Sequence, residues 1–177
     1  CVPLGLDKVR LTGGEPLLRP GLSDLVNRLS DAGVDIALTT NGSLLRRYAQ
    51  DLSKAGLKRV TISLDAIDED VHQQMSDSSV TIAHILDGIE AAREAGLSPI
   101  KVNCVIRRGV NEEQASKLVH HFRDTGVIVR FIEFMDVGRT NGWTLGEVIP
   151  SRDLLNHLQT EFDLVPMESE RPSDVAV

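Results

Sequence analysis

The feature that most limits what this chain can fold into is a repeated alternation of short strand-like runs with amphipathic stretches. Residues 9–12, 36–40, 60–64, 101–106 and 127–135 are strand-like runs, and the first four show the two-residue side-chain period of a β-strand. The stretches between them have apolar residues at helical spacing and end near glycines, which favour the position after a helix. This order predicts a parallel sheet with right-handed crossovers. We also expect a short extra helix near 70–75, in the loop after the third run, and a last helix near 152–161, after Pro150.

Side-chain parity within these runs distinguishes two kinds of parallel sheet. In the first four runs one face is aliphatic and the other mostly polar, as in Val9 and Leu11 against Arg10 and Thr12. A doubly wound sheet is covered by helices on both faces, so its strands are apolar throughout. The pattern therefore predicts an α/β fold, a partial TIM-like β/α barrel of about five parallel strands with helices outside and a polar hollow inside.

Composition excludes several classes of protein. The 177 residues carry a formal net charge of −7, which argues against non-specific nucleic-acid binding, and no apolar run approaches a membrane span. The 2 cysteines make a disulfide framework improbable and favour a cytoplasmic location. We expect one domain over residues 1–165, truncated at its N-terminus, and a polar tail over 166–177 that leads to a missing C-terminal region.

Polar groups cluster where the predicted strands end. These ends carry residues 12–15, 39–42, 63–65 and 133–136, which supply hydroxyl, amide, carboxylate and bare glycine backbone groups. Arg10 and Lys101 add cations to the same predicted face, which suits a polar, phosphorylated ligand. The alternative is that both cations only neutralise neighbouring carboxylates such as Asp65 or Glu133.

A family resemblance adds to this interpretation. The sequence Gly13-Gly14-Glu15-Pro16 resembles the GGEP motif of radical S-adenosylmethionine (SAM) enzymes. The wider match covers most of the chain in order and resembles the GTP 3′,8-cyclase family of molybdenum-cofactor biosynthesis. It comprises residues 9–19, 38–42, 60–68, 101–103 and 130–138.

The resemblance implies a reaction and its participants. A [4Fe-4S] cluster reduces SAM to release a 5′-deoxyadenosyl radical, which abstracts hydrogen from the ribose C3′ of GTP, and C3′ then bonds to C8 of guanine. The product, (8S)-3′,8-cyclo-7,8-dihydroguanosine 5′-triphosphate, would pass to cyclic pyranopterin monophosphate synthase. By the same resemblance Gly14, Ser63 and Met135 bind SAM, whereas Arg10, Thr39 and Lys101 bind GTP. It assigns no catalytic side chain and no metal ligand within this chain.

Several of these residues have a simpler alternative role. Met135 could pack in the core, although its parity with Glu133 favours the polar face. Ser63 and Thr39 could bond only to neighbouring strands, and Glu15 could either bind the SAM amino group or fix its own loop. Asp65 and Asn41 are expected to orient the residues that contact the ligand rather than to contact the ligand themselves. Cys104 falls on the aliphatic face, which predicts an inert buried thiol.

One departure from the family concerns the iron–sulfur clusters. The family's C-x3-C-x2-C motif is absent from these 177 residues, and the cysteines of its second cluster are absent too. We expect the first motif upstream of Cys1 and the second beyond the C-terminus. The piece alone is then expected to bind no [4Fe-4S] cluster and to lack cyclase activity, which would belong to the full-length parent.

Other functions remain open from the sequence. Lys101 on an inner strand could form a Schiff base in an aldolase-type barrel. A radical SAM enzyme with another substrate and a nucleotide-binding module without chemistry are further alternatives. We expect no nucleic-acid or membrane partner, and a homodimer is left open.

Overall fold

A computed structural model describes residues 5–76, 79–136 and 143–167 of the chain. The predictions for Cys1, for residues 137–138 and for the tail from 168 onward lie outside these residues. The elements follow in strict alternation, apart from one extra helix after β3 and short 3-10 turns at Pro16–Leu18 and Leu145–Glu147. They are β1 (Lys8–Leu11), α1 (Leu22–Asp31), β2 (Asp35–Thr40), α2 (Leu45–Lys54), β3 (Arg59–Ser63), α3 (Glu69–Met75), α4 (Ile82–Glu94), β4 (Ile100–Ile106), α5 (Gln114–Phe122), β5 (Ile128–Glu133) and α6 (Ser151–Leu158).

The strands form a 5-stranded parallel sheet in the order β1-β2-β3-β4-β5. Each strand lies beside its neighbour in sequence, so the chain winds in one direction without the reversal of strand order that marks a doubly wound sheet. The predicted number of strands and their parallel direction are confirmed.

The hydrophobic core lies on the helix-covered face of the sheet. Ile36, Leu38, Ile62, Val102 and Ile106 point into it from the strands and are at most 1% exposed. Each such aliphatic side chain contributes about 1.5–3 kcal/mol on burial. The opposite face holds the alternate residues, which are mostly polar and only partly covered. This division confirms the parity argument for β1 to β4.

Helices α2 and α4 pack closely where β2 ends. A Cβ at Gly88 of α4 would lie 2.6 Å from the carbonyl oxygen of Gly42 and 3.1 Å from the Cβ of Leu45. Glycine at this position therefore lets α4 reach the turn after β2 and fixes its position under the polar strand ends. Among the described residues, no helix is both long enough and apolar enough to cross a membrane.

Candidate functional site

The loop after β1 presents bare backbone at the carboxyl end of the sheet. Gly13 and Gly14 have φ angles of 97° and 38°, a conformation that side chains rarely adopt. Both glycines are exposed, and a Cβ at either one would meet no heavy atom within 4 Å, so the space beside this backbone is open. The loop can therefore approach a ligand with its backbone N–H and C=O groups.

The Glu15 carboxylate joins this loop to the end of β2. Its Oε1 accepts hydrogen bonds from the Leu17 amide at 2.9 Å and from the Thr40 hydroxyl at 2.7 Å. Its Oε2 accepts one from the Asn41 amide at 2.7 Å. Of the two roles left open for Glu15, these contacts show the fixing of its own loop. Asn41 in turn accepts from the Ser43 amide and hydroxyl, which supports the turn.

A second set of side chains joins the ends of β3 and β4. Asp65 accepts a hydrogen bond from the Val105 amide at 2.7 Å, and burial raises the pKa of its carboxyl group. Asn111, which is 1% exposed, donates to the carbonyl oxygens of Asp65 at 2.9 Å and Val105 at 2.8 Å. Its Oδ1 accepts from the Arg107 amide. The bond from Asn111 to the Asp65 carbonyl spans 46 positions of the sequence, so no local pattern could indicate that Asn111 joins these two strand ends.

Ser63 and Asn103 occupy paired positions on the polar face, where the β3–β4 pairing ends. The side chain of Ser63 is exposed. The Asn103 Oδ1 atom is shielded from water and has no hydrogen-bond partner within the described part of the chain. A buried acceptor without a donor costs about 1–3 kcal/mol, so a ligand donor at this point would be favoured.

Cations dominate the polar face between these strand ends and the amino-terminal edge. We use the name cationic cluster for Lys8, Arg10, Arg59, Lys101 and Arg130, which the strand register places on one face. Arg10 donates to the hydroxyls of Thr39 at 3.0 Å and Thr61 at 3.2 Å. The sequence did not lead us to predict three of these cations as site residues, namely Lys8, Arg59 and Arg130. The pattern that could have indicated them is the apolar residue that follows each of them in its strand.

The cationic cluster has an excess of positive charge. The pKa of Lys101 lies below its usual value, first because burial removes water from its ammonium group and then because Arg130, Arg10, Arg59 and Lys8 repel it. The pKa of Arg10 is lowered by burial and then by Arg130 and Arg59. Mutual repulsion of this kind is relieved by a bound anion.

The predicted alternative of neutralising carboxylates is wrong for Asp65 and Glu133. Asp65 bonds to the Val105 amide, and Glu133 accepts from the amide and hydroxyl of Ser151 at 2.6 and 2.7 Å. Arg59 does pair with a carboxylate, that of Asp35 at the start of β2. The anion-binding capacity of Arg10 and Lys101 is therefore not taken up by the two acids proposed.

The predicted position of Glu133 on the polar face is also wrong, so its parity with Met135 does not place Met135 there. Glu133 pairs in register with Ile106, whose side chain lies in the core, so Glu133 is on the helix-covered face rather than the polar one. Met135 lies two residues beyond β5 with 54% of its surface exposed. Its role as a SAM contact stays a prediction from the family resemblance.

Comparison with protein families decides the classification. The Radical SAM superfamily profile matches residues 2–122, which is more than half of the sequence. The chain belongs to the radical SAM superfamily. The GGEP loop, the strand ends and the one-directional sheet are thus parts of a radical SAM domain.

Curated relatives of this radical SAM chain include GTP 3′,8-cyclases. That of Xanthomonas axonopodis pv. citri (strain 306) is 49% identical over 177 residues, which cover 99% of this chain and 53% of the relative. That of Acidothermus cellulolyticus is 47% identical over 174 residues, covering 97% of this chain and 48% of the relative. The chain thus spans about half the length of the curated relatives it matches.

Solved structures share the fold, and one of them is described as a radical SAM enzyme. An archaeal TYW1 superposes with a TM-score of 0.64 at 20% identity, covering 87% of this chain and 48% of that one. Coproporphyrinogen III oxidase (HemN) from Escherichia coli gives 0.64 at 14% identity, covering 87% and 38%. The prediction of an incomplete β/α barrel is confirmed.

The described residues of the radical SAM chain do not fit an iron–sulfur cluster. Cys104 is buried on the core side, and burial raises the pKa of its thiol well above the usual range, which disfavours a thiolate ligand. In the described ranges, no group of 3 or more His, Cys, Asp or Glu side chains could hold a metal ion. A cluster would need ligands other than these residues.

Proposed function

We propose that this chain forms the SAM- and nucleotide-binding part of a radical SAM GTP 3′,8-cyclase, which converts GTP to (8S)-3′,8-cyclo-7,8-dihydroguanosine 5′-triphosphate in molybdenum-cofactor biosynthesis. The observation that carries the proposal is the presence of the cationic cluster on the polar face of the sheet whose carboxyl end presents the GGEP loop. The names of the curated relatives support GTP as the substrate. The low cysteine content supports a cytoplasmic location.

The carboxyl ends of the strands are the proposed SAM site. Gly14 offers backbone in open space, Ser63 offers an exposed hydroxyl, and Met135 follows β5 at the same end. The unsatisfied Asn103 acceptor lies beside Ser63 and fits a ligand that brings a donor. SAM, once bound and reduced, supplies radical chemistry for hydrogen abstraction. The residues of this chain bind and orient it.

The nucleotide is proposed to lie on the polar face between SAM and the amino-terminal edge of the sheet, with its triphosphate on the cationic cluster. Arg10 and Lys101 supply the charge, and Thr39 holds the Arg10 guanidinium at 3.0 Å. Charge-assisted bonds to phosphate are about twice as strong as neutral hydrogen bonds. This placement brings the ribose toward the strand ends, where hydrogen abstraction is to occur.

The Schiff-base alternative is less well supported. A Lys101 pKa below the usual value would favour a nucleophilic amine, but its neighbours are other cations rather than an acid–base partner for a carbonyl substrate. The relatives named cyclases favour phosphate binding as the reason for this charge.

The test uses the full-length protein, reconstituted without oxygen and supplied with SAM, reductant and GTP. We expect a cyclised GTP product by mass spectrometry, and Arg10→Gln and Lys101→Gln should each raise KM for GTP by about tenfold or more. The SAM dissociation constant should stay within about twofold. Arg46→Gln is the control, because Arg46 pairs with Asp87 and Glu94 on the outer helices. Absence of product from GTP, or equal losses in SAM and GTP binding, would contradict the proposal.

A further inference from the structure

The ion pair between Arg59 and Asp35 lies at the amino-terminal edge of the polar face. Arg59 begins β3 and Asp35 begins β2, and their side chains are 26% and 39% exposed. Arg59 lines a concavity on this face together with Lys8, Arg10, Thr61 and Lys101. A solvent-accessible ion pair beside a concave site of excess positive charge can exchange its acidic partner for a bound anion.

The direction of the strands sets the order in which the proposed ligand-binding residues follow one another along the polar face. Ser63, at the proposed SAM end, follows Arg59 by four positions in β3, a separation of about 13 Å at the usual rise per residue. Lys101 pairs in register with Thr61, midway between these two levels. A nucleotide with its ribose at the SAM end and its phosphates on the cluster therefore directs its last phosphate toward Arg59.

The chemistry of the pair suits a phosphate ligand. The guanidinium group is planar and matches two phosphate oxygens at once, as it does a carboxylate. Asp35 gives Arg59 one acidic partner, whereas the surrounding cations Lys8, Arg10 and Lys101 favour a more highly charged anion. Phosphate would relieve the repulsion that Asp35 only partly offsets.

We propose that Arg59 binds the terminal phosphate of the nucleotide in exchange for Asp35, and that this exchange makes the site selective for triphosphates over diphosphates. The proposal rests on the proposed function and adds the residue that distinguishes a triphosphate from a diphosphate. Asp35 holds Arg59 in place when no nucleotide is present and competes with the terminal phosphate for it.

The experiment measures equilibrium binding of GTP and GDP to the full-length protein by calorimetry. Arg59→Gln should weaken GTP by about ten- to a hundredfold and GDP by less than about threefold, so the preference for GTP falls. Asp35→Asn should act in the opposite direction and tighten GTP by about two- to fivefold, with a smaller effect on GDP. The matched control is the Arg46 and Asp87 pair on α2 and α4, where Arg46→Gln and Asp87→Asn should leave both affinities unchanged.

The outcomes separate this proposal from the proposed function. Equal weakening of GTP and GDP by Arg59→Gln, or weaker GTP binding in Asp35→Asn, overturns the role of Arg59 while leaving GTP as the substrate. Failure of the unaltered protein to bind either nucleotide overturns the proposed function and this proposal with it. If Arg59→Gln does not fold, the opposite sign expected for Asp35→Asn still decides the question.

Discussion

At the scale of single residues, the acidic and amide side chains at the strand ends form hydrogen bonds to backbone amide and carbonyl groups. The β2–β3 pairing stops at Thr40 and the β3–β4 pairing at Ser63, so backbone groups beyond these points need other partners. Glu15 accepts from the Asn41 amide, and Asp65 accepts from the Val105 amide. These contacts let the strand ends separate around a ligand without leaving buried donors unpaired.

Replacement of Glu15 tests whether its carboxylate is structural. Glu15→Gln replaces one carboxylate oxygen by an N–H₂ group, which cannot accept a hydrogen bond. Depending on its orientation, the amide loses either the bonds from Leu17 and Thr40 or the bond from Asn41. We expect the free energy of unfolding to fall by about 1–3 kcal/mol in urea titrations. Glu90→Gln, which alters an exposed pair with Arg93, should show no measurable change. Equal stabilities for the two variants would show that Glu15 does not hold the loop.

The buried Asp65 predicts a specific pH dependence of stability. Burial raises the pKa of its carboxyl group above the usual 3.8, so the folded protein binds the proton more tightly than the unfolded chain. The stability this provides is complete below the usual value and is lost as pH rises through the raised pKa. Asp65→Asn keeps an oxygen for the Val105 amide and removes the charge, so its stability relative to the unaltered protein should increase over that interval.

Urea unfolding at a series of pH values from acid to neutral measures this difference. The variant Asp163→Asn, at an exposed position after α6, is the control and should show no such trend. A difference between Asp65→Asn and the unaltered protein that stays constant with pH would contradict the assignment.

At the scale of elements, local periodicity was sufficient for most helices and strands but not for the end of β5. The short extra helix predicted near 70–75 is α3, which the structure places at Glu69–Met75. The run predicted as 127–135 ends instead at Glu133, which accepts hydrogen bonds from Ser151 at the start of α6. That contact spans 18 positions in sequence, so no local pattern could predict it or the orientation of Glu133.

The close approach of α4 to the turn after β2 makes Gly88 a sensitive position. Gly88→Ala gains about 1 kcal/mol of helix propensity, but the new Cβ would lie 2.6 Å from the Gly42 carbonyl oxygen. The turn cannot move freely, because the Gly42 amide donates to the Thr40 hydroxyl at 3.0 Å. We expect a net loss of about 1–3 kcal/mol in chemical unfolding. Ala83→Gly, exposed on the same helix, measures the propensity effect alone, and a more stable Gly88→Ala would refute the packing argument.

At the scale of the whole molecule, the two faces of one sheet have separate tasks. The aliphatic face gives stability against the helices, and the other face gathers the cationic cluster in a chain whose net charge is −7. Parity alone predicted this division, together with Arg10, Thr39, Ser63 and Lys101 on the polar face. The order of the cations along the strand direction could not be predicted from the sequence, because it depends on the register between strands and therefore on long-range pairing.

Concentrating positive charge in an acidic molecule predicts how salt acts on its ligands. Screening lengths fall from about 10 Å at 0.1 M ionic strength to about 3 Å at 1 M, so attraction between the cluster and a triphosphate should weaken steeply with salt. GTP affinity of the full-length protein should fall more than SAM affinity when ionic strength rises at constant pH. Arg130→Gln should reduce this salt dependence, because Arg130 repels the Lys101 ammonium group more strongly than the other cations of the cluster do. Arg46→Gln on the outer helices should not change it. A salt dependence that is the same for GTP and SAM, or that Arg130→Gln leaves intact, would mean that the cluster does not carry the phosphate interaction, and the polar face would need another ligand.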